Sequence, residues 1–117
     1  MLGVGPDNFR YHYPDESERL VFTNTDLVVH NAYLDIAAEL GFVALALFFA
    51  YLAEAFARLT AASRRGYGLT GFAVAVRSAL IVAVVSSLFY SEQYFAPFWL
   101  LGGIATGLWL SARDRPE

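Results

Sequence analysis

The 117-residue chain contains no cysteine and no lysine. Without cysteine there is no disulfide, no thiolate nucleophile and no cysteine-rich metal site. All eight basic residues are arginines spread along the chain, and the formal net charge is −3. No basic face is left to meet a phosphate backbone, which excludes nucleic acid as a partner. Charge of either sign is scarce: 16 % of residues are charged against 57 % hydrophobic, a balance that soluble domains do not show. The excess must be covered by lipid or protein. The opening residues Met1 to Pro6 carry neither a basic region nor a long apolar run, so any translocation is expected to rely on a later segment.

The few charges are unevenly placed. Seven of the eleven acids, Asp7, Asp15, Glu16, Glu18, Asp26, Asp35 and Glu39, precede Leu40. Residues 1–29 mix turn formers with short aromatic runs, with Gly3, Gly5 and Pro6 ahead of Phe9 and Pro14 after Tyr11-His12-Tyr13, which reads as an irregular loop. Asn31 stands as an N-cap candidate for a short helix over residues 32–40, with Asn31, Asp35 and Glu39 at four-residue spacing on one face.

Three apolar segments follow. Residues 40–57 hold Glu54 as their one charge, residues 66–91 are interrupted only by Arg77, and residues 93–112 have no charge at all. About 20 apolar residues cross the hydrocarbon of a bilayer. The expectation is an all-α membrane protein in which an irregular extracytoplasmic loop (1–39) leads into three transmembrane helices, about 40–57, 69–90 and 95–112, and a tail at 113–117. The last of the three is the clearest on charge. Arg58, Arg64 and Arg65 fall between the first two segments, which places that loop in the cytoplasm, the N-terminal loop outside and the arginine-bearing tail inside. Tyr90, Tyr94, Phe95 and Trp99 then form an outer aromatic belt, with Trp109 near the inner face.

Intramembrane charges are functional candidates by default. Here Glu54 lies one turn before Arg58, and a hairpin brings Arg77 near the same interface, so snorkelling or pairing is the plainer reading. Gly103 and Gly107, with Gly102 beside them, form a small-xxx-small pattern that permits close helix approach, which suggests helical neighbours for the third segment. His12, His30, Asp26, Asp35 and Glu39 match no metal-ligand spacing of any specificity. There is no Gly-x-Ser-x-Gly elbow, and Gly3 to Pro6 lacks the lysine and helix of a phosphate cradle. Arg10 and His30 differ because they precede the membrane segments. A guanidinium fork can hold diphosphate oxygens and an imidazole can take or donate a proton near neutral pH, a pair suited to transfer from a lipid diphosphate. On spacing alone that suggestion is weak, and a surface arginine and a capping histidine are the better reading.

The stretches Gly3-Val4-Gly5-Pro6-Asp7-Asn8-Phe9-Arg10, His30-Asn31-Ala32-Tyr33-Leu34-Asp35 and Ala38-Glu39-Leu40-Gly41 resemble the C-terminal part of the bacterial O-antigen ligase and polysaccharide polymerase superfamily. The specific element is His30-Asn31 with Gly41 following after nine residues, similar to the family's ligase signature. Ala44 stands where relatives carry a particular small or aromatic residue, and Asp7 where many have glycine, which weakens ligase relative to polymerase. The resemblance covers residues 3–47, and the later helices only by pattern.

It implies a multi-pass glycosyltransferase of the bacterial inner membrane with a periplasmic loop over the bilayer and a cytoplasmic C-terminus. Such an enzyme moves a glycan from undecaprenyl diphosphate to an acceptor sugar of a glycan or glycolipid, as in lipopolysaccharide and other polysaccharide biosynthesis, without nucleotide or metal cofactor. Arg10 is then expected to hold the donor diphosphate and His30 to activate or orient the acceptor hydroxyl. Asn31, Asp35 and Tyr33 support substrate binding, with Tyr11 and Tyr13 as further stacking candidates. The family carries many helices before this region, so the chain is expected to be a C-terminal fragment, inactive alone, whose partners include the missing helices. Two other function classes stand beside this one: a small multi-pass partner or assembly protein, and a transporter fragment lined by Glu54 and Arg77.

Overall fold

A computed structural model describes residues 3–6, 8, 31–64, 68–90 and 96–113. Four α-helices account for most of them: α1 Ala32–Glu39, α2 Gly41–Arg64, α3 Thr70–Ser86 and α4 Ala96–Arg113. The described residues contain no strand, so the fold is all-helical. The chain divides into two compact units, one built from Met1–Ala46 with Ser87–Gln93, the other from Leu47–Ser86 with Tyr94–Glu117.

In the first unit α1 is held at both ends. Asn31 is extended (φ −158°, ψ 107°), and its side-chain oxygen accepts from the backbone N–H groups of Tyr33 and Leu34 at 3.0 and 3.1 Å. This satisfies two of the four donors that a helix start leaves without an internal partner. The Ala32 N–H donates to the carbonyls of Ser87 and Tyr90, at 2.9 and 3.1 Å. At the other end, Val4 N–H donates to Ala38 O (3.0 Å) and Gly5 N–H to Glu39 O (2.8 Å). Gly3 lies so close to the backbone at Glu39 that a Cβ there would fall on the Glu39 carbonyl. Gly41 then adopts φ +87°, a left-handed conformation that ends α1 and that side-chain-bearing residues adopt at a cost. Ala32, Ile36 and Glu39 form the buried stripe of α1.

In the second unit each helix buries one narrow stripe. On α2 it is Phe48, Leu52, Ala55, Leu59 and Ala62, at alternating steps of four and three residues, the spacing of a helix-packing seam. On α3 it is Ala73, Val76 and Leu80, and on α4 Phe98, Gly102, Ala105, Leu108 and Ala112. Helices α3 and α4 pack closely against each other. Small residues on every stripe allow this near approach, as they do between helices in lipid. The α2–α4 contact is aromatic: Phe48 meets Phe98 edge-on with centroids 5.6 Å apart, and Tyr51 lies 5.1 Å from Trp99. The Tyr51 hydroxyl donates to Phe98 O at 2.9 Å, and a Cβ on Gly102 would fall on that hydroxyl.

The remaining faces are apolar and uncovered: Val43 is 68 % exposed, Leu47 66 % and Val82 64 %. Helix α2, with 24 residues, is long and apolar enough to cross a membrane, and only 22 % of its most apolar window is buried within the chain. The core helix of a soluble protein would be mostly covered. The first apolar segment thus extends past residue 57 to Arg64, because Arg58 and Arg64 are good helix formers and charge alone does not stop a helix. The second is helical over 17 residues and turns at Ser87. The third, clearest on charge, has the length but not the apolarity of a span: three glycines, two tryptophans and Arg113 lower its mean hydropathy.

The two neighbouring glycines of α4 make a sharp contrast. Gly102→Ala pushes Tyr51 off its carbonyl partner and should lower stability by about 1 kcal/mol or more. Gly103→Ala meets open space and should raise it by up to about 1 kcal/mol through helix propensity. Thermal unfolding of the purified protein in detergent separates the two.

Candidate functional site

The residues singled out for binding cluster on α1. Asn31 caps it, Asp35 sits in its first turn where the partial positive charge of the helix start favours a carboxylate, and Tyr33 is half-buried. At 100° per residue, Tyr33 and Asp35 lie about 160° apart around the axis, on opposite flanks of the buried stripe Ala32, Ile36 and Glu39. They do not share a face. Asn31 uses its side-chain oxygen for the cap, so its demonstrated work is to start the helix immediately after His30.

Arg10 and His30 lie outside the described residues, as do His12, Tyr11 and Tyr13. Their chain neighbours are described. Asn8, two residues before Arg10, closes a turn by donating its N–H to Gly5 O at 3.2 Å and its side-chain amide to Val4 O at 3.4 Å. This turn belongs to the segment docked on the last carbonyls of α1, whereas Asn31 adjoins His30 at the helix start. The two anchor points are separated by the length of an eight-residue helix, about 12 Å.

Glu39 is the residue whose character sequence reading did not foresee. The sequence showed it in the polar spacing Asn31, Asp35, Glu39, in the rejected metal set and in the stretch Ala38 to Gly41, none of which signals burial. In the fold it is 7 % exposed, and its Oε2 is the one buried side-chain oxygen among the described residues with no hydrogen-bond partner. A buried polar group without a partner is costly and calls for an explanation. Nothing in the local pattern signals its burial, because that burial accompanies contacts made from residues 3–5, more than thirty positions away. No group of three or more His, Cys, Asp or Glu side chains able to hold a metal occurs among the described residues. Glu54 forms a 2.7 Å ion pair with Arg58 one turn on, on an exposed face.

Two measurements test the α1 assignments. Asn31→Ala should cost about 1 kcal/mol of helix stability and speed hydrogen exchange of the first-turn amides, while Asn31→Asp keeps the cap and the slow exchange. Burial raises the Tyr33 phenol above its usual 10.0, so the fold favours the neutral form. That contribution is complete below pH 10 and is lost as pH rises through the raised value, and Tyr33→Phe should flatten this part of the alkaline unfolding profile.

Compared with known proteins, the chain matches no family model, no curated protein and no solved structure.

Proposed function

We propose that this chain supplies the C-terminal part of a membrane glycosyltransferase that joins a glycan carried on undecaprenyl diphosphate to an acceptor sugar hydroxyl. The observation that carries the reading is the pair of hydrogen bonds from Val4 and Gly5 to Ala38 and Glu39. Two of the three stretches that resemble the O-antigen ligase and polymerase superfamily, Gly3 to Arg10 and Ala38 to Gly41, are far apart in sequence yet joined by these bonds. The positive φ of Gly41 gives the last residue of that signature a physical reason.

In this reading three helices span the bacterial inner membrane, the loop before α1 faces the periplasm, and the uncovered apolar faces take up lipid and further helices of the same enzyme. Arg10 holds the donor diphosphate and stabilises the charge it gains on leaving. His30 accepts the proton of the acceptor hydroxyl as its oxygen bonds to the anomeric carbon and the bond from that carbon to the diphosphate breaks. The Asn31 cap fixes the backbone next to His30, and Asp35 and Tyr33 contact sugar. A small membrane partner protein is the second reading, favoured by Gly103 and Gly107, which are exposed with nothing within 4 Å of where a Cβ would stand and so offer a close-approach face to another helix.

Complementation in a bacterium lacking its own O-antigen ligase or polymerase, with the chain expressed in its native gene context, tests the transferase reading. Wild type should restore surface glycan, and His30→Ala and Arg10→Ala should each abolish it at equal membrane abundance. Restoration by both variants would remove these residues from any catalytic role.

A further inference from the structure

A second polar cluster lies on α2 and α4. Arg58 places its Cζ 5.4 Å from the centroid of the Trp109 ring, and Arg113 places its own at 5.6 Å from the same ring. Each distance is that of a cation–π contact. The two guanidiniums therefore lie within about 11 Å of each other on a single indole. Arg58 is fixed from two further sides, donating from Nε to Glu54 Oε1 and from Nη1 to Thr106 Oγ1, both at 2.7 Å. Among the described residues Glu54 is the cluster's one carboxylate against two guanidiniums. Arg113 has no carboxylate partner among the described residues and is the last residue of α4, exposed.

We propose that Arg58, Trp109 and Arg113 form a docking site for the phosphate of an anionic lipid headgroup. The proposal rests on the reading of α2 as a membrane span. Two like charges gathered on one ring repel each other, and an anion between them relieves that repulsion while using the guanidinium donors that Glu54 and Thr106 leave unused. The surroundings select a lipid over a soluble anion. Tryptophan and arginine at the ends of apolar helices are the side chains that settle at the headgroup level, with their apolar portions toward the hydrocarbon. Leu110 and Gly107 on the same helix are exposed next to the cluster, an apolar strip along which acyl chains can lie below the bound phosphate. Basic pockets between helices at a membrane surface take anionic headgroups by this combination.

The test is native mass spectrometry of the detergent-purified chain offered phosphatidylglycerol or phosphatidylcholine, paired with flotation on pure phosphatidylcholine vesicles. Wild type should float and retain phosphatidylglycerol in preference to phosphatidylcholine. Arg113→Gln, at a helix end where folding does not depend on it, should weaken that preference several-fold, and the double variant with Arg58→Gln by about tenfold or more. Arg77→Gln, on α3 and outside the cluster, should leave it unchanged. Equal retention of both lipids by a chain that floats would overturn the lipid site and leave the membrane reading standing. A chain that does not float overturns both. Displacement of phosphatidylglycerol by inorganic phosphate would assign the site to soluble anions and sink the lipid proposal.

Discussion

An eight-residue helix cannot stand alone in water, because the cost of fixing its first turn is not recovered over two turns of propagation. Helix α1 therefore depends on hydrogen bonds lent by other parts of the chain: the Asn31 side chain and the Ser87 and Tyr90 carbonyls at its start, and the Val4 and Gly5 amides at its end. Tyr33 and Asp35 lie on this helix and Asn31 caps it. The arrangement of the candidate site is thus a consequence of how the ends of α1 are satisfied, and the segment from Gly3 to Asn8 contributes by its backbone, with Gly3 chosen for its lack of a side chain.

The helices were legible in the sequence for two reasons. Asn31 followed by an apolar-periodic run announces a helix start wherever it occurs, and long stretches nearly free of charge admit few structures besides a helix. Boundaries were less legible. Arginines near the end of the first apolar segment marked the edge of apolarity at residue 57, but helix continuity follows backbone propensity, and the helix runs on to Arg64. The opposite error arose at Ser87, where apolar residues continue while the helix turns. Glu39 was illegible altogether, since its burial involves residues brought in from the start of the chain.

The second unit has the packing of a helix assembly that does not rely on water for its order. Its buried stripes are narrow and rich in alanine and glycine, and its outward faces are as apolar as its inward ones. Position along each helix, rather than hydrophobicity, decides what is buried. This is why the aromatic contacts of Phe48, Tyr51, Phe98 and Trp99 carry specificity: they have shape and a hydroxyl donor amid largely aliphatic surface. Arg58 likewise pairs with Glu54 and Thr106 at 2.7 Å each, so its charge and donors are partnered within the unit.

The break at Gly41 sets a length. Were residues 32–64 one uninterrupted rod, it would measure about 50 Å, well beyond the roughly 30 Å of hydrocarbon in a bilayer. A single left-handed residue divides it into a short rod and a long one, and the long one alone has a length suited to crossing. A helix long enough to cross a bilayer thus begins afresh at Gly41, with its own register.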